Sequence, residues 1–197
     1  GGALALAAGA ATGTTASEGG DVSVKGGVGA SATGGSITVD SGEGTATTSG
    51  LIAIRSLNAG TAGSSGMLVF SSGTSSTGNS GFVFIGSGAA TKGRGGSVAV
   101  TVGSGTSGSG GYMRIEAGRS GDSTGGAVTV ESGEGTDTTS GLIAIRTLNG
   151  GGVGASGKLI FSSGTSNSGN SGELLIGTGA ADSANAGSIS MTVGSAA

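Results

Sequence analysis

The sequence predicts an all-β protein, a parallel β-solenoid of about 13 coils with 15–16 residues per coil. Three observations predict it. A glycine opens each of a long series of units at a nearly constant step, two apolar residues follow it in alternation, and a second glycine marks a corner just beyond them.

The units open at Gly2, Gly20, Gly35, Gly50, Gly66, Gly81, Gly96, Gly111, Gly126, Gly141, Gly157, Gly172 and Gly187. The step is 15 residues, lengthening to 16 after Gly50 and Gly141 and to 18 after Gly2. The third and fifth positions are apolar throughout, as in Val22 and Val24, Ile37 and Val39, Ile52 and Ile54, and Leu159 and Phe161. Alternation of period two with β-branched enrichment predicts a strand in each unit, with these two columns facing inward.

The second glycine, as in Ser41-Gly42, Ser72-Gly73 and Ser132-Gly133, reads as a tight corner of positive φ. A short Ser/Thr/Ala/Gly segment follows it. There Lys92 and Arg94 alternate with Gly93, and the small residues Thr45 and Thr47 are expected to point inward against the Val/Ile columns. A 30-residue coil with two units facing each other fits the same pattern. The chain reads as one continuous solenoid over 1–197. Within it lie a partial copy at 1–19 and super-repeats at 20–110 and 111–197.

The super-repeat is 91 residues, or six units. "GSITVDSGEGTATTS" at 35–49 returns as "GAVTVESGEGTDTTS" at 126–140, and "GLIAIRSLN" at 50–58 returns as "GLIAIRTLN" at 141–149. In each copy the 16-residue unit replaces the corner glycine by Leu57 or Leu148, followed by Asn58 or Asn149, which predicts a bulged corner with left-handed asparagine.

The second and fourth positions of each unit are expected to face outward. In three neighbouring units they carry Leu51, Met67, Val69, Phe82 and Phe84, and in the second super-repeat Leu142, Ile160 and Leu175, with Lys158 and Glu173 placed to pair. Contiguous exposed apolar area marks an interface, so these eight apolar residues are the expected lateral docking strip. Lys25, Asp40 and Arg55 share one outward position in consecutive units, where alternating signs relieve stacked like charges. Neither end carries a polar capping unit, which predicts open strand edges and end-to-end stacking with further copies.

The bulk composition restricts the chemistry. Among 197 residues there are 49 Gly and no Pro, Cys, His or Trp, and the net charge is −3. A Gly/Ser/Thr bias of this kind is also the mark of a flexible linker, opposed here by 34% hydrophobic residues in strict register. The small, mixed charge gives no footprint for nucleic acid. Without His or Cys the usual nucleophile–base pairs and imidazole or thiolate metal sites are absent, so no enzyme, cofactor or metal is expected. No apolar run approaches the roughly 18 residues of a membrane helix. "GALALAAGAA" is too short and lacks the basic flank of a signal peptide. Because the chain opens on Gly1 rather than Met, it reads as a mature product or a segment of something longer.

The stretches "SSGTSSTGNSG", "IGSGAATKGRGGSVAVTVGSGTSGSGG" and "GGAVTVESGEGT" resemble the Gly/Ser/Thr-rich tandem-repeat proteins of diatoms and related algae. The likeness covers nearly the whole chain. It implies a secreted or cell-surface β-solenoid with a structural role, and it brings no catalytic residues with it. The expected function is thus an extracellular structural fibre or filament, with copies of the same chain as partners. Two other classes fit parts of the pattern: binding of ice, mineral or glycan through outward Thr and Ser such as Thr38 and Thr129, and a calcium-binding roll around Asp122.

Overall fold

In the computed structural model the described residues are 2–13 and 18–195. They form no strand and no helix. The chain divides into two units of structure, Gly1–Val100 and Thr101–Ala197. In both, extended segments alternate with loops on the sequence period.

In the first, the chain bends at 30–32, 45–47, 61–63, 76–78 and 91–93. In the second it bends at 106–108, 121–123, 136–138, 152–154, 167–169 and 182–184. Each bend occupies positions 11–13 of its repeat, or 12–14 in the two 16-residue repeats, so the extra residue is inserted ahead of the bend.

A bend is the apex of a loop whose neck is closed by glycine. The Gly50 N–H donates to the Gly42 carbonyl at 2.9 Å, Gly35 to Gly27 at 2.8 Å, Gly126 to Gly118 at 2.9 Å and Gly141 to Gly133 at 2.9 Å. The corner glycine and the glycine that opens the next repeat are therefore the two sides of one neck. At every opening glycine from Gly20 to Gly187, an added Cβ would come within 3.5 Å of the chain on the far side. Opposite stands the seventh residue of the preceding repeat, which is small in Ala8, Ser41, Ser87, Ala117 and Thr178, with Val102 the large exception. At the apex, Ser75, Ser120 and Ser166 each accept through Oγ the N–H three residues ahead, at 3.0 Å.

The β-solenoid is thus overturned. A coil of 15 or 30 residues would hold its strands in ladders between successive repeats. The backbone bonds found outside regular structure instead close loops locally, and no regular structure exists among the described residues. The physical reason lies in the composition. Two large apolar groups per repeat cannot offset the ordering entropy of a 15-residue stretch rich in glycine.

Three local expectations fall with the solenoid. The corner glycines Gly42, Gly73 and Gly133 do not take positive φ, which occurs at Gly63 (φ 113°) and Gly108 (φ 88°) in the bends. No non-glycine residue has positive φ, so Asn58 and Asn149 are not left-handed. Thr45 and Thr47 lie exposed in a loop apex rather than inward against a Val/Ile column.

What survives is the pleat of the extended segments. Side chains two apart share a face: the Phe82 and Phe84 ring centroids are 5.8 Å apart, and Arg114 pairs with Glu116 at 2.5 Å. From the repeat at Gly20 onward the third position is better covered than the fifth, from 45% exposed at Ile52 to 57% at Leu174, whereas in the first repeat Leu4 is 97% exposed against 76% at Leu6. The fifth position shows no such cover: Ile85 and Ile115 are 77% and 74% exposed, more than the outward Val69 at 64%, so the expected inward pair is not an interior. No side chain among the described residues is buried, so there is no core.

Candidate functional site

With no core, the candidate site is where apolar side chains gather on the surface. One such place lies within Gly1–Val100. It is an open groove of about 760 Å³ lined by Ile52, Ile54, Phe70, Val83, Phe84, Ile85 and Gly86. Three consecutive repeats build it. The repeat from Gly50 supplies its third and fifth side chains, the repeat from Gly66 its fifth, and the repeat from Gly81 its third, fourth and fifth, with the chain passing close to Ser56 at Gly66 and to Ser72 at Gly81.

Of the expected docking strip, Phe84 lines this groove and Phe82 stacks beside it with an interplanar angle of 31°. Leu51, Met67 and Val69 lie on the same three repeats, exposed and outside the lining. Leu142, Ile160 and Leu175 are equally exposed in Thr101–Ala197. The strip and the supposedly inward columns are therefore surface together, and five of the groove's lining residues come from the columns. Sequence reasoning missed them because it assigned Ile52, Ile54, Phe70, Val83 and Ile85 to an interior. Their contiguity in three adjacent repeats was the available signal.

The polar groups are dispersed. Among the described residues, Arg114–Glu116 is the one ion pair, both side chains at least 64% exposed, and Lys158 and Glu173 do not pair. No three acidic side chains among the described residues come together where they could hold a metal ion, Asp122 included. No helix among them is long and apolar enough to cross a membrane. The geometry of the described residues offers apolar contact, hydroxyl-rich loops and exposed backbone. Compared with models of known protein families, with curated proteins and with solved structures, the chain finds no match.

Proposed function

We propose that the chain is a structural protein of the cell exterior that assembles laterally with copies of itself, with the groove and strip of residues 51–85 as the principal contact. One observation carries this reading: every large apolar side chain described is at least 45% exposed, on a regular spacing. An isolated chain in that state leaves its hydrophobic surface in water, and a second copy with the same spacing covers it.

The available area is sufficient. Phe70, Phe82 and Phe84, exposed by 64%, 85% and 89%, present on the order of 450 Å² of aromatic surface. The aliphatic residues from Leu51 to Ile85 raise this to roughly 900 Å². A stable interface needs about 800 Å² per partner. The corresponding repeats of the second super-repeat carry Lys158 and Glu173 where the first has Met67 and Phe82, so the first super-repeat dominates the contact. Lateral contact of this kind needs no strand edge. The placement outside the cell rests on the resemblance of the repeats to algal surface proteins.

Sedimentation velocity over a range of concentrations tests the reading. The weight-average sedimentation coefficient is expected to rise with concentration for the natural chain and to stay flat when Phe82→Ser and Phe84→Ser are combined. A natural chain that remains a monomer at every concentration would refute it, as would a double variant that assembles equally well.

A further inference from the structure

The two 16-residue repeats carry the same loop with one chemical difference. The first reads Leu57-Asn58-Ala59 and the second Leu148-Asn149-Gly150. Of the six asparagines, Asn58, Asn79, Asn149, Asn167, Asn170 and Asn185, Asn149 is the one followed by glycine. We infer that Asn149 is a site of spontaneous deamidation, which marks the second super-repeat and leaves the matching Asn58 untouched.

The chemistry is an attack along the main chain. The Gly150 amide nitrogen gives up its proton to base and bonds to Cγ of Asn149. The Cγ–Nδ2 bond breaks, ammonia leaves with a proton from water, and a five-membered succinimide remains. Water then opens the ring at Cγ to give aspartate, or at the main-chain carbonyl to give isoaspartate. No oxidant, metal or partner is required.

The structure favours each condition. Asn149 is exposed and lies in no helix or strand, so no ladder or helical bond opposes the turn that brings Cγ over the next nitrogen. The Gly150 N–H donates to no acceptor among the described residues, while Gly154 N–H is engaged by the Gly151 carbonyl at 3.2 Å. Gly150 has no Cβ to shield its nitrogen, whereas Ala59 has one. The loop also keeps Gly150 from ready replacement, because a Cβ there would come within 2.7 Å of the Ala155 carbonyl carbon. The product adds a negative charge to a chain of net charge −3. As isoaspartate it also lengthens the backbone by one carbon between Thr147 and Gly157, whose approach forms that loop's neck.

Peptide mass mapping of the full chain, incubated at neutral and mildly alkaline pH, reads the reaction, and isoaspartyl methyltransferase labelling identifies the isomer. Asn149 is expected to convert several-fold faster than Asn58, faster still as pH rises, and with isoaspartate among the products. Gly150→Ala should slow it to the Asn58 rate. Because that variant also disturbs the loop, Ala59→Gly provides the reciprocal test and should make Asn58 reactive. Equal, slow conversion of Asn149 and Asn58 would overturn the inference, and so would an Ala59→Gly chain in which Asn58 stays inert.

Discussion

Within the tripeptide Gly42-Glu43-Gly44 the two glycines do different work. A Cβ on Gly42 would meet nothing within 4 Å, whereas one on Gly44 would lie 2.7 Å from the Thr47 carbonyl oxygen. Gly135 is confined in the same way by Thr138 and Thr139, and Gly44 and Gly135 are among the few half-buried residues described. This accounts for part of the long copied stretch, since "GEGT" is held by a loop that closes over its second glycine. Gly44→Ala should therefore shift the amide resonances of Thr47 and Thr48 and weaken the neck bond at Gly50. Gly42→Ala should leave them in place, and it stiffens the unfolded chain. Equal perturbation by the two would refute this account of the loop. The charged residues matter less at this scale: an exposed pair such as Arg114–Glu116 contributes at most about 1 kcal/mol.

At the scale of the repeat, the unit is an extended segment followed by a necked loop. The period was legible in the sequence, whereas the corner expected at Gly42, Gly73 or Gly133 lies three residues further on, at 45–47, 76–78 and 136–138. The Gly-x-apolar-x-apolar pattern records which side chains share a face, and the Phe82–Phe84 contact shows the same alternation on the opposite face. The pattern is silent on what covers the face. A neighbouring coil of the same chain and a neighbouring copy impose the same alternation, so Ile52 and Phe70 read as interior when they line an open groove. The neck was half legible. The small residue before each corner glycine, as in Ser41 and Ser132, was visible, but its partner glycine at the start of the next repeat was read as opening a strand. Gly50→Val tests the neck directly. A side chain there meets Ser41 Cβ at 3.3 Å, so the Gly50–Gly42 bond should open and the amide at position 50 should exchange as fast as its neighbours. Retained protection at that amide would contradict the neck.

At the scale of the whole molecule, the accessible surface is 19440 Å². A globular protein of this mass exposes about 8,000 Å², and its extended chain about 26,000 Å². The isolated chain therefore keeps most of its surface in water, and its hydrophobic driving force is left for association. Salts that strengthen apolar burial should act accordingly: sulfate should promote assembly and urea reverse it, while sodium chloride should have little effect on so weakly charged a chain. Light scattering across the three additives reads this directly, and assembly dissolved by sodium chloride would point to ion pairing instead. The most direct measurement of the central claim is amide hydrogen exchange on the dilute and the assembled chain. In dilute solution the extended segments should exchange at nearly unprotected rates, with modest slowing at the neck amides such as Gly35, Gly50, Gly126 and Gly141. Protection of residues 51–85 should appear only on assembly. Strong protection recurring every 15–16 residues in the dilute monomer would reveal an internal ladder and contradict the account.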